Sequence, residues 1–76
     1  MILDKIKDIM ETELGKNRND VTLESDIIKD LGLDSLDIVT LIMAVEDEYG
    51  FMADDDEIAA LKTVGDVVNY IEKRTK

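Results

Sequence analysis

The stretch "LGLDSLDIVTLIMAVEDEYG", residues 31–50, holds the pattern on which the fold turns. After Asp34 come fifteen residues, 35–49, with no glycine or proline, and Gly50 follows as a stop. Asp34 reads as an N-cap, and Asp37, three positions on, gives a capping-box-like start to a helix over 35–49. On a helical wheel Ile38, Leu41, Ile42, Val45 and Tyr49 form one apolar stripe. Leu36, Val39 and Met43 form a second stripe about 130° around the axis at 100° per residue. Glu46 and Asp47 flank this second stripe, and Asp37 lies farther round, close to Ser35. One stripe is enough to bury a helix. The second is either further core or an exposed docking face, and a three-helix domain has little room to bury both. An apolar centre with an acidic rim is the form of a docking surface, and docking is the reading favoured here.

Outward from this helix the chain organises simply. Residues 2–14 carry apolar side chains at 2, 3, 6, 9, 10 and 14, which is helical spacing, and Gly15 ends it. Residues 16–34 show no sustained period, but Val21, Leu23, Ile27, Ile28, Leu31 and Leu33 are expected to anchor this long connection across the helices. Ser25 is expected to cap a single helical turn, "DIIKDL", ended by Gly32. A short helix is expected over about 55–61 and a last one over about 64–74, capped by Thr63, with Val64, Val67, Val68 and Ile71 facing inward. No stretch alternates as a strand does, and no linker divides the chain. The expected fold is all-α: a small bundle of three main helices plus one short helix, with a long loop between helices 1 and 2, in a single domain over residues 1–76.

The 19 acidic side chains against 9 basic ones, for a formal charge of −10, speak against nucleic acid or an anionic membrane as partner. They favour basic proteins or cations; keeping a small protein soluble also needs charge. With no cysteine there is no disulfide framework and no thiolate metal site; with no histidine the usual general base is missing. The opening "MILDKIKDIM" is too charged for the core of a signal peptide, and the longest apolar run, Leu41–Val45, is too short to insert in a membrane. A cytoplasmic monomer is expected. "DDDE", residues 54–57, fails as an EF-hand, because counting from Asp54 the fifth position is Ile58 and the sixth is Ala59 where glycine is needed. No metal ligands are assigned.

Ser35 has three readings. As a nucleophile it lacks a histidine and a G-x-S-x-G turn, and the one lysine near it in sequence is Lys29, six residues upstream. As a helix-start residue beside Asp34 it is ordinary. As a site of covalent modification, its hydroxyl would place a phosphate ester near helix N–H groups, with Asp34 and Asp37 opposing the charge.

The run "VTLESDIIKDLGLDSLDIVTLIMAVEDEYGF", residues 21–51, resembles the acyl carrier protein family. "DLG" at 30–32, "DSL" at 34–36 and the acidic "VEDEYG" at 45–50 carry the likeness, and chain length and acidity agree with it. "DSL" alone is a weak signal; the combination is specific. The resemblance implies a protein that is not an enzyme. It implies that Ser35 bears 4′-phosphopantetheine, transferred from coenzyme A by a magnesium-dependent phosphopantetheinyl transferase. Acyl groups would ride on that arm as thioesters, presented to fatty acid or polyketide synthesis enzymes with basic surfaces. The same likeness implies a partner-docking surface of Asp34, Leu36, Asp37, Val39, Met43, Glu46, Asp47, Asp55 and Asp56. It also implies an acyl-chain lining of Ile38, Leu41, Ile42, Val45, Ala59, Leu61 and Val64, for each of which plain core is the alternative.

Two positions depart from the family pattern. Thr40 stands where carriers of bacterial fatty acid synthesis commonly have glutamate, which thins the acidic rim. Ala53-Asp54 replaces an apolar residue followed by proline, which is expected to loosen the connection ahead of the short helix. The pathway is most simply type II fatty acid biosynthesis; polyketide or specialised lipid routes are the alternatives, and "DSL" speaks against a D-alanyl carrier. A rival of another class is an unmodified acidic helical module that docks basic proteins through the same face.

Overall fold

The computed structural model describes residues 1–75; Lys76, the last residue of the expected domain, lies outside them. Four helices follow one another: α1 (Ile2–Leu14), α2 (Ser35–Tyr49), α3 (Asp55–Ala59) and α4 (Val64–Thr75), with a 3₁₀ turn at Arg18–Asp20. The expected all-α bundle of three main helices and a short one, with the long connection between α1 and α2, is the architecture found. Among the described residues extended pairing is limited to one isolated antiparallel bridge, Asp26 to Thr63.

Local chemistry explains the element ends. Beyond α1 the Gly15 N–H and the Lys16 N–H both turn back to the Met10 carbonyl, the latter at 3.0 Å, and Gly15 takes the left-handed φ of 65° that this reversal needs. At the end of α2 Gly50 takes φ 71°, where a β-carbon would be strained, and its N–H satisfies the Glu46 carbonyl. Thr63 Oγ1 accepts from the Asp66 N–H at 3.1 Å, and Asp66 Oδ2 accepts from the Thr63 and Lys62 N–H groups, a capping box at the start of α4. These backbone donors hold the Asp66 carboxyl below its ordinary value. α3 ends earlier than expected, at Ala59. There the Ala60 and Leu61 N–H groups bond three residues back, to Glu57 and Ile58, tightening the last turn out of α geometry.

The core is aliphatic. Ile6 and Met10 of α1, Leu41 and Val45 of α2, and Val64, Val67 and Ile71 of α4 meet at its centre. The long connection adds Val21, Ile27, Leu31 and Leu33, all buried. Leu23 and Ile28, expected to anchor it too, are instead exposed. The reason is the turn between them: Asp26 Oδ1, not Ser25, accepts the Ile28 and Lys29 N–H groups at 2.9 and 2.8 Å, and Gly32 (φ 66°) ends the turn. With Ile27 pinned inward by its N–H on the Lys62 carbonyl, Ile28 must point out. Ser25 is buried in another role. It accepts from the Thr22 N–H and donates to the Asp20 carbonyl, closing the loop on itself.

Candidate functional site

α2 supplies the site, and its first turn decides what Ser35 is free to do. Asp34 Oδ1 accepts the Asp37 N–H at 2.9 Å, and Asp37 Oδ2 accepts the Asp34 N–H at 3.3 Å. This is the capping box read from the sequence, complete in both directions. Ser35 is the first residue of the helix proper, and its side chain takes no part in the box. Its hydroxyl is therefore exposed at the positive end of the α2 dipole, with its capping work done by a neighbour. The fit to a phosphodiester is direct: an unshielded primary hydroxyl, reachable from solvent, that can be esterified without removing a helix cap.

Below Ser35 the second stripe of α2 lies in solvent. Leu36, Val39 and Met43 are 72%, 51% and 59% exposed, whereas Leu41, Ile42 and Val45 on the first stripe are buried. Ile38 and Tyr49, at the edges of the first stripe, are half-buried against the core. The acids sit unevenly around the exposed stripe. Asp34, Asp47, Asp55 and Asp56 are exposed, and Asp37 is half-buried by its part in the cap. Met43 divides two hollows. On one side Val39, Ile42, Met43, Glu46, Ala53, Asp55 and Ile58 line a groove of about 250 Å³ between α2 and α3. On the other side Thr40, Met43, Ala44 and Asp47 face Glu13 of α1.

Glu46, expected on the docking rim, is also engaged within the chain: its Oε2 accepts the Ala53 N–H at 2.7 Å, which ties α2 to the connection before α3. That connection is consequently held rather than loosened, with the Asp54 N–H also engaged, on the Tyr70 hydroxyl. The expected acyl lining does not come together as a set. Leu41, Val45 and Val64 are packed in the core, and Ile42 alone of the seven borders the α2–α3 groove. Ala59 and Leu61 border a different hollow with Asp26, Ile28, Lys29 and Lys62.

Sequence reasoning missed the groove's far wall, Ala53 and Ile58, and the exposed Met52 and Ile28. The signal for Ile58 was present, as the one large apolar residue in an otherwise acidic helix. Nothing local marked Met52. Thr40, where the acidic rim was expected to thin, turns its Oγ1 back to donate to the Leu36 carbonyl at 3.0 Å.

Comparison with known proteins gives a consistent answer. The family described as "Phosphopantetheine attachment site" matches residues 4–71. The acyl carrier protein of Clostridium acetobutylicum is 47% identical over 76 residues, covering 100% of this chain and 99% of that one. The acyl carrier protein of Clostridium perfringens is 48% identical over 75 residues, covering 99% of each chain. Among solved structures, the acyl carrier protein of Thermotoga maritima superposes with a TM-score of 0.86 at 32% identity, covering 95% of this chain and 84% of that one. With a free serine hydroxyl at the head of its central helix and full-length likeness to these proteins, the chain belongs to the acyl carrier protein family, whose prosthetic group is 4′-phosphopantetheine.

Proposed function

We propose that Ser35 Oγ is the attachment point of 4′-phosphopantetheine and that the chain is a carrier, not a catalyst. The observation that carries this reading is the first turn of α2, where Asp34 and Asp37 complete the cap and leave an exposed serine hydroxyl beside them. In the attachment step Ser35 Oγ forms a bond to the β-phosphorus of coenzyme A and loses its proton to a base of the transferase. The pyrophosphate bond breaks, and adenosine 3′,5′-bisphosphate leaves. The attached group supplies a terminal thiol for carrying acyl chains, a function that this cysteine-free chain has no side chain to perform.

The residues around Ser35 orient partners. Leu36, Val39 and Met43 give an exposed apolar centre. Asp34, Asp37, Asp47, Asp55 and Asp56 surround it with negative charge that draws basic enzyme surfaces and speeds encounter. Glu46 contributes by shaping the adjoining groove through its bond to Ala53. The first partner is a phosphopantetheinyl transferase, and the later ones are acyl-transferring enzymes, in type II fatty acid biosynthesis by the simplest reading. We place the protein in the cytoplasm as a monomer, with residues 1–76 acting as one domain; no helix among the described residues is long and apolar enough to cross a membrane.

The test is intact-mass spectrometry after incubation with coenzyme A, magnesium and a phosphopantetheinyl transferase. A gain of one phosphopantetheinyl group, lost in Ser35→Ala, is expected. No gain would leave an unmodified docking module, and a gain that survives Ser35→Ala would move the attachment elsewhere.

A further inference from the structure

The segment between α2 and α3 has no secondary structure of its own, yet three successive residues in it are each fastened by a side chain. Arg74 Nη2 donates to the Met52 carbonyl at 2.9 Å. Glu46 Oε2 accepts the Ala53 N–H at 2.7 Å, and the Tyr70 hydroxyl accepts the Asp54 N–H at 3.3 Å. Two of these three anchors belong to α4. The same Arg74 reaches on into α3, donating through Nη1 to Glu57 Oε1 at 3.0 Å and to the Tyr70 hydroxyl at 3.1 Å. Tyr70 in turn donates to Glu57 Oε1 at 3.0 Å. Burial pushes the Tyr70 phenol above its ordinary value, so it keeps the proton that this bond needs. The guanidinium also lies over the Phe51 ring, 5.1 Å from its centroid, and near the Tyr70 ring at 5.8 Å.

α3 depends on these ties. It is five residues long, with Ile58 half-buried and no residue in the core, so helix nucleation and packing give it little hold of its own. Yet Ala53, Asp55 and Ile58 make the far wall of the groove whose near wall is Val39, Ile42 and Met43. We propose that Arg74 is a positioning residue that latches α3 and its leading segment to α4 and so sets the opening of the α2–α3 groove. The planar fork matters as well as the charge, because one guanidinium serves a carbonyl, a carboxylate and a hydroxyl at once. The groove adjoins the face assigned to partners under Proposed function, and the latch gives the C-terminal helix control over it. The latch itself is a property of the unmodified protein, so its failure and the failure of the carrier reading are separately visible.

Amide hydrogen exchange on the full chain tests it, comparing the wild type with Arg74→Gln, Arg74→Lys and Glu57→Gln. In Arg74→Gln the amides of Ala53, Asp54 and Ile58 are expected to exchange about tenfold faster, while those of Val45 and Val67 hold their rates. Arg74→Lys, which keeps the charge and loses the fork, should restore less than half of the lost protection on a logarithmic scale. Glu57→Gln should show the same local rise at smaller size. A neutral apolar dye should fluoresce more with Arg74→Gln than with the wild type as the groove opens. Unchanged exchange at 53–58, a rise spread evenly over the core, full recovery with lysine, or no change in dye binding would each overturn the latch.

Discussion

Replacing Asp34 by alanine removes the carboxylate that accepts the Asp37 N–H at 2.9 Å and leaves only the weaker half of the box, the backbone N–H at position 34 on Asp37 Oδ2 at 3.3 Å. Loss of such a cap costs about 1 kcal/mol. Unfolding entropy of about 2.1 cal/mol/K per residue gives about 160 cal/mol/K for 76 residues. The expected drop in Tm is therefore about 6 °C. Asp34→Asn separates the cap from the charge, since an amide oxygen accepts the same bond; it should melt within about 2 °C of the wild type. Ser35→Ala should also be near neutral, because alanine is the better helix former and the serine side chain does no capping. Thermal melts followed by far-ultraviolet circular dichroism on the four proteins make the comparison. If Asp34→Ala melts with the wild type while Ser35→Ala falls by several degrees, Ser35 is the cap. Its hydroxyl is then engaged in the fold and not spare for attachment.

The exposed stripe gives a second prediction: Met43→Glu should keep the helical spectrum and Tm, because Met43 is 59% exposed, yet slow modification by the transferase, because a carboxylate replaces the apolar centre and must be desolvated on docking. Unfolding in this variant would show that the stripe supports the core after all. Leu41→Ala, at a fully buried position of the core cluster, should cost about 2–5 kcal/mol, read as a lower denaturant midpoint at unchanged slope. The carboxyl of Asp66 is lowered in the folded state by the Lys62 and Thr63 N–H groups, so its stabilisation is present above the unfolded value near about 4 and fades as pH falls toward the folded one. The stability gap between the wild type and Asp66→Asn should accordingly narrow on acidification from pH 5 to pH 3 in denaturant titrations; a constant gap would contradict this. At a charge of −10, added salt should raise Tm by screening self-repulsion while slowing encounter with basic partners, and stopped-flow and melting measurements that moved together would refute the electrostatic account.

What sequence by itself determined here was whatever is settled within about one helical turn. The i, i+3, i+4 spacing of aliphatic residues defined α1, α2 and α4, because a helix brings those positions onto one face however the rest of the chain folds. The Asp34–Asp37 box, the Thr63 cap and the stop at Gly50 were legible for the same reason, since donor and acceptor are only three or four residues apart. The likeness of residues 21–51 to the acyl carrier family also needed no coordinates, being carried by residue identities along the chain.

Tertiary structure decided everything that depends on what stands opposite. A wheel shows that Leu36, Val39 and Met43 share a face, but their exposure follows from where the core forms: α1 packs on the other side of α2, around residues shared with α4. Glu46 reads as one more acid on that face until the chain turns at Gly50 and brings the Ala53 N–H under its carboxylate. Ile27 and Ile28 are equally apolar neighbours, and only the bond from Ile27 to Lys62, thirty-five positions away, sends one in and the other out. Arg74 looks like a cation complementing a helix end; the fold carries the Met52 carbonyl and Glu57 to it, over separations of 22 and 17 residues. No local pattern encodes such meetings, because their partners become neighbours only when the hydrophobic core has closed.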